Sequence, residues 1–388
     1  MQKKQHPKEE NTVLLQKLLE GIPYKMLQGT DQAEIKMPVY DSRKVQPGDL
    51  FVCITGFQTD GHRYIPMALE KGAAALLVEH AVEDVPENIT VIQTENNRQA
   101  LAALSANFYD HPTQKMRVTG VTGTNGKTTI TYLVRSVLER VGRKTGVIGT
   151  IENRIGDKVI PTERTTPESL ELQALMEQMR QEDVTDVMME VSSHSLDLHR
   201  VDGIAYDVAV FTNLTQDHLD YHKTFKAYIE AKKAFFDRLP AHAFALTNAD
   251  DKNGLVMLQN TRAHRYTYSC RTMADFTAKA IEKHLDGTLL RLDGEEVWTK
   301  FTGDFNAYNL LAVYAAARLL GFTKENVLEY VSLLVPVSGR FETLISTEGV
   351  MAVVDYAHTP DAVENVLSTI CGLKGRNNQV ITVVGAGG

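Results

Sequence analysis

Gly123-Thr124-Asn125-Gly126-Lys127-Thr128-Thr129 lies between an apolar run at 116–121 and a helical pattern at 128–141 that Gly142 closes. A strand, a glycine turn and a helix start bring several backbone N–H groups and the positive end of a helix dipole to one point, which suits a phosphate. The glycines admit close approach, Lys127 reaches the β and γ phosphates, and the Thr128 hydroxyl suits Mg²⁺. The strict GxxxxGK[ST] pattern fails at one position: it needs glycine at Val121, and the glycines stand at 120 and 123. The flanking strand and helix favour phosphate binding over a plain glycine turn with an exposed lysine.

Five further positions carry candidate chemistry. Glu190 follows the apolar run Val187-Met188-Met189 and belongs at the carboxyl end of a parallel strand, the edge where open α/β sheets bind ligands. An acid there, beside a phosphate loop, suits a magnesium ion, although a salt-bridged rim residue has the same pattern. His218 lies just past a strand expected at 207–212; imidazole is not a favoured Mg²⁺ ligand, so a structural role is equally open. Lys232, in a helical pattern at 225–238, reads as a solvated lysine, and Lys233 points about 100° away from it. Asn306 and Asn309 stand one helical turn apart and share a face, as ligand contacts or as the polar edge of an apolar helix.

These residues need elements to hold them. Strands are expected at 49–54, 75–78, 90–93, 116–121, 147–151, 186–191, 207–212, 244–248, 350–355 and 379–384. Helices are expected at 65–71, 98–109, 128–141, 170–181, 225–238 and 307–320. The alternation implies an α/β protein with parallel sheets covered on both faces. Asp110-His111-Pro112 and Val335-Pro336-Val337-Ser338-Gly339 break the pattern, giving domains at 1–110, 111–336 and 337–388. The last stretch runs strand, helix, strand and is too short to bury a core easily, so much of a third domain is expected to lie outside this sequence.

Composition narrows the class. The 388 residues are 43% hydrophobic and 23% charged, as in an ordinary globular chain of two or three domains. Cys53, Cys270 and Cys371 are far apart and form no CxxC pair, which argues against a disulfide framework or zinc site and for a reducing compartment. The net charge of −8 argues against nonspecific nucleic-acid binding. No secretory signal and no apolar run of the ~18 residues needed to span a bilayer is present, so a cytoplasmic chain without membrane attachment is expected. Oligomeric state is not readable.

The loop from Gly120 to Thr129 resembles that of the Mur ligase family. Asp41-Ser42-Arg43 with Pro47-Gly48-Asp49-Leu50-Phe51, Thr165-Thr166-Pro167, Glu190-Val191-Ser192-Ser193-His194, and Asp217-His218-Leu219-Asp220-Tyr221-His222 narrow the likeness to its MurE-type branch. Phe305-Asn306 with Asn309, Gly339-Arg340-Phe341-Glu342, and Asp355-Tyr356-Ala357-His358-Thr359-Pro360-Asp361 extend it to the end of the chain.

The resemblance implies a uridine-nucleotide domain, a central P-loop ATPase domain and the start of a Rossmann-like third domain. It implies an ATP-dependent amide ligase that adds a diamino acid, meso-diaminopimelate by general frequency or else L-lysine, to UDP-MurNAc-L-Ala-D-Glu through an acyl phosphate. A truncated nucleotide-binding module without ligase activity is the competing reading. By the same likeness, residues 123–129 with Asn306, Asn309, Arg340 and Asp355 hold ATP, with His358 close by. Thr128, Glu190, His218 and a carbamylated Lys232 hold Mg²⁺, and Lys127, Glu190, His218 and Lys232 are catalytic. Ser42, Gln58 and Thr59 hold the uridine nucleotide, and Thr165, Thr166, Ser192 and Arg200 the muramoyl-peptide. Phe57, Leu198 and Tyr40 depart from the residues that some relatives carry, which leaves individual nucleotide contacts open.

Overall fold

The computed structural model describes residues 12–56, 59–162, 164–215, 219–284, 286–375 and 377–385, with the backbone alone at 219 and 220. The chain forms two compact units. One holds the described residues up to Lys115 with Pro167–Gln181 and His194–Ala205; the other holds Met116–Thr166, Glu182–Ser193 and the chain from Tyr206 on.

The first unit is built on a five-stranded sheet. Pro38–Val39, Leu50–Val52, Ala75–Val78 and Thr90–Gln93 run parallel, and Lys25–Gln28 closes one edge antiparallel. Leu50–Val52 and Ala75–Val78 are buried at every position, as the unbroken apolar runs require of strands covered on two faces. Helix Asn97–Phe108 is started by the Asn96 side chain, which accepts from the amides of Arg98 and Gln99. Its first residue, Asn97, is fully buried and donates to the carbonyls of Cys53 (2.6 Å) and Leu77 (3.0 Å), tying two strand ends together.

In the second unit an eleven-stranded sheet carries a parallel core in the order Thr145–Ile148, Asp186–Glu190, Arg117–Thr122, Val208–Phe211, Phe244–Asn248, His264–Ser269 and Phe276–Lys283. Antiparallel strands extend both edges: Asn153–Ile155 with Lys158–Ile160, and Thr288–Leu292 with Glu295–Thr299. The sheet is therefore mixed, not purely parallel. The second hairpin turns on Asp293 (φ 51°) and Gly294 (φ 93°), the two left-handed residues of a tight hairpin loop. Leu290, Leu292 and Val297 face the core while Arg291, Glu296 and Trp298 are exposed, so each strand is too short and too interrupted to stand out in a search for apolar runs.

Helix Lys127–Arg140 buries Ile130, Leu133, Val134, Val137 and Leu138, one stripe at i, i+3, i+4, i+7 and i+8. Helix Asp304–Leu319 is buried nearly all round; its alanines let it lie close to the first helix and the sheet. Beyond Pro336 come an antiparallel pair, Glu342–Ile345 with Met351–Val354, and helix Pro360–Leu373. Residues 379–384, expected as a strand, have no regular structure, and Ile381 and Val383 are exposed. A strand needs a ladder partner, and no described backbone pairs with this segment.

Asp186, at the amino end of its strand, is 1% exposed and takes Arg143 Nε at 2.9 Å and the Thr185 hydroxyl at 2.7 Å. Arg117 approaches to 2.6 Å as a charge contact that is not aligned as a hydrogen bond. Removing the buried acid leaves two guanidinium groups uncompensated, so Asp186→Asn is expected to cost ~2–3 kcal/mol, measured as a lowered urea midpoint at unchanged slope. A change within experimental error would show the cluster to be neutral.

Candidate functional site

The glycine loop is shaped by the end of the neighbouring strand. Thr212 Oγ1 donates to Asn125 O (2.6 Å), Asn125 N donates to Asn213 Oδ1 (3.0 Å), and Thr124 N donates to Asn213 O (2.9 Å). Gly123 has φ 144°, and a Cβ there would lie 1.9 Å from Thr212 Oγ1; at Gly126, φ 89°, it would meet Asn309 Oδ1 at 2.6 Å. Both positions therefore require glycine, for backbone conformation and for space. Lys127 folds back over the loop, its Nζ donating to Gly123 O (3.0 Å) and Thr124 O (2.8 Å).

The loop lines a cavity of about 480 Å³ with Thr150, Thr165, Glu190, Ser192, Lys232 and Asn309 among its other walls. Glu190 is 0% exposed and held by neutral donors: Thr128 Oγ1 (3.0 Å), Thr150 Oγ1 (3.0 Å) and Thr150 N (2.8 Å). Among the described residues no cation pairs with it. A buried carboxylate without a counter-charge is costly, and a hard cation with oxygen ligands would offset that cost, so Glu190 and the Thr128 hydroxyl fit a magnesium site. Gly149 packs against this acid; a Cβ there would stand 2.5 Å from Glu190 Oε1.

Lys232 is 1% exposed, which corrects the solvated-lysine reading. Its Nζ donates to Gly123 O (3.1 Å) and Thr122 Oγ1 (3.4 Å) and lies 4.8 Å from the centre of the Tyr228 ring. Lys233 points elsewhere and pairs with Asp237 at 2.7 Å, as the helical rotation requires. Asn306 and Asn309 are both buried and joined by a 3.1 Å hydrogen bond. Arg340 Nη2 donates to Thr128 Oγ1 (3.1 Å), with its guanidinium 4.7 Å from the centre of the Tyr356 ring. Asp355 accepts from the amides of Phe341 and Ala357, both at 2.7 Å, and so fixes the turn that carries Arg340.

Gln58 and His218 lie outside the described residues. The Thr166 hydroxyl donates to Glu190 O (3.0 Å). Ser42, Thr59 and Arg200 belong to the other unit, where Arg200 pairs with Glu168 at 2.7 Å. Also there, Asp60, His62 and His80 cluster, but as a positioning group. His62 Nδ1 bonds Asp60 (2.6 Å), its Nε2 accepts the Glu79 amide (3.0 Å), and the His80 ring is stacked on it, so both nitrogens of His62 are already engaged. Burial pushes the Cys53 thiol far up, and all three cysteines are unbridged. Thr150 escaped the sequence reading; Asp361, whose carboxylate accepts from Asn125 Nδ2 at 3.2 Å, and Asn213 belong to family motifs but receive no role at the site from the sequence. Thr150 follows a buried strand at its carboxyl end, the signal that picked out Glu190.

Residues 121–317 match the Mur ligase middle domain, 34–109 the Mur ligase family catalytic domain, and 339–388 the Mur ligase glutamate ligase domain. The chain belongs to the Mur ligase family. It is 50% identical over 376 residues to the UDP-N-acetylmuramoyl-L-alanyl-D-glutamate–2,6-diaminopimelate ligase of Bacteroides thetaiotaomicron, covering 97% of this chain and 78% of that relative. A solved structure of a ligase of the same name superimposes with a TM-score of 0.80 at 29% identity, over 94% of this chain and 75% of the other. MurF from Acinetobacter baumannii, 20% identical with a TM-score of 0.65 over 94% and 78%, shares the fold.

Because the missing side chain at Gly149 leaves room for the Glu190 carboxylate, Gly149→Ala is expected to displace it. Calorimetry should show Mg-ATP affinity reduced about tenfold or more, with the unfolding free energy from urea titration lowered by no more than ~2 kcal/mol. Unchanged affinity would place Glu190 outside the nucleotide site.

Proposed function

We propose that this Mur ligase joins diaminopimelate to the D-Glu carboxylate of UDP-MurNAc-L-Ala-D-Glu, at the expense of ATP, in the cytoplasm as a step of peptidoglycan precursor synthesis. Among the described residues no helix is long and apolar enough to cross a membrane. The observation that carries the reading is the fully buried Glu190 bonded to Thr128 of the glycine loop in one cavity with Lys232, Asn309, Arg340 and Asp355. Relatives 47–50% identical bear the diaminopimelate ligase name, which favours that amine over L-lysine. We read 1–110 as the UDP-MurNAc domain, 111–336 as the ATP domain and 337–388 as the beginning of the amino-acid domain, in keeping with the three matched stretches.

In this mechanism a D-Glu carboxylate oxygen attacks the γ-phosphorus and ADP departs. The amine nitrogen then attacks the acyl carbon, phosphate leaves, and the nitrogen gives up a proton. Two anions must meet in the first step, so the chain has to suppress their repulsion. Lys127 and the amides of 123–129 cradle the phosphates, and Arg340 supplies a second cation beside Thr128. Thr128, Glu190, His218 and Lys232 are the residues that would hold magnesium, which when bound neutralises phosphate charge. Carbamylation by CO₂ would turn Lys232 from a buried cation into an anionic oxygen ligand. Thr165, Thr166, Ser192 and Arg200 hold the muramoyl-peptide, and Ser42, Gln58 and Thr59 the uridine nucleotide. Asn306 and Asn309 face the adenosine side, and Asp355 steadies the Arg340 turn.

The test is amine-dependent phosphate release from ATP, Mg²⁺, UDP-MurNAc-L-Ala-D-Glu and meso-diaminopimelate, run on the protein as its gene encodes it. Release with diaminopimelate well above that with L-lysine is expected, and no amine dependence with either would overturn the assignment. Lys232→Ala is expected to abolish turnover, with partial rescue by short carboxylates. Full activity in the unrescued variant would remove Lys232 from the site.

A further inference from the structure

Asp250 stands just past the carboxyl end of strand Phe244–Asn248, and its carboxylate gathers five donors: Ser269 Oγ (2.7 Å), Cys270 N (2.8 Å), Arg271 N (3.1 Å), Thr272 Oγ1 (3.2 Å) and the Tyr308 hydroxyl (2.8 Å). Burial alone would raise this carboxyl, but the hydroxyls of Ser269 and Tyr308 and the Cys270 amide outweigh it and hold it below the ordinary range. One acid therefore fixes both the turn after strand His264–Ser269 and the ring of Tyr308 on helix Asp304–Leu319. Arg271 sits on that turn, exposed and lining the same cavity as the glycine loop, and among the described residues its guanidinium has no acidic partner.

Position and charge say what it meets. The turn follows the third strand from the one that feeds the glycine loop, in the order Arg117–Thr122, Val208–Phe211, Phe244–Asn248, His264–Ser269. Three strand spacings make roughly 14 Å, about the reach of a nucleoside from its terminal phosphates. Helix Asp304–Leu319 bridges the two ends: Asn309 abuts Gly126, while Tyr308, one residue round, faces Asp250. The ionised Asp250, with Asp251 beside it in the cavity wall, disfavours a phosphate here and leaves a neutral, flat base as the suitable partner.

We propose that Arg271 is a base-side contact of the nucleotide, laying its planar guanidinium against the purine, and that Asp250 is the positioning residue that holds it and Tyr308 in place. This rests on reading the cavity as the ATP site. Guanidinium stacking on an aromatic face is the chemistry concerned, and lysine reproduces it poorly.

The experiment compares equilibrium binding of ATP and of inorganic tripolyphosphate, each with Mg²⁺, to the unaltered protein, Arg271→Ala, Arg271→Lys and Asp250→Asn. Arg271→Ala is expected to weaken ATP about tenfold and leave tripolyphosphate unchanged, with Arg271→Lys recovering little. Asp250→Asn should show the same selective loss. Equal ATP affinity in Arg271→Ala, or equal losses for both ligands, overturns the inference while leaving the ATP site standing. Failure of the unaltered protein to bind either ligand overturns the ATP site itself, and this inference with it.

Discussion

Glu190 is a carboxylate with no exposed surface, held by two hydroxyls and one amide and by no cation among the described residues. Such a group costs free energy in the folded chain unless its oxygens are satisfied, and the surrounding donors hold it in one orientation. Thr128 ties it to the glycine loop, Thr150 to the end of the adjacent strand, and the glycine at 149 leaves it room. The cost falls beside the glycine loop, in the wall of the cavity that the loop lines.

Within the glycine loop the support comes from Lys127, which bonds the carbonyls of Gly123 and Thr124. The loop's shape is borrowed from Thr212 and Asn213 at the end of the next strand, and its tip is reached by Asp361 and, through Thr128, by Arg340. An arginine 212 positions along the chain thus shares the Thr128 hydroxyl with Glu190. Parallel sheets make this possible, because every strand in the core ends on the same edge and each following turn contributes there.

Elements with a strong local signal were legible. Strands 75–78, 90–93 and 244–248 and helix 128–141 follow from apolar runs and a 3.6-residue stripe, and the structure has them within a residue or so. The hairpin 288–299 was not, since only every second residue of its two short strands is buried and Asp293-Gly294 is its clearest local signal. The segment 379–384 erred the other way: an apolar run proposes a strand, but only a neighbouring backbone can make one.

The sequence by itself determined that a glycine turn starts a helix here, that an acid stands at the end of a buried strand, and, through ordered motifs, which family the chain belongs to. These are local matters, settled by glycine conformations, hydrophobic periodicity and residue order. Only the tertiary structure decided that Lys232 is buried against the loop, that Thr150 and Thr128 share one carboxylate, and that Asp250 joins a turn to a helix 58 residues away. Burial and long-range hydrogen bonds depend on which elements become neighbours, and no spacing within one helix or strand records that.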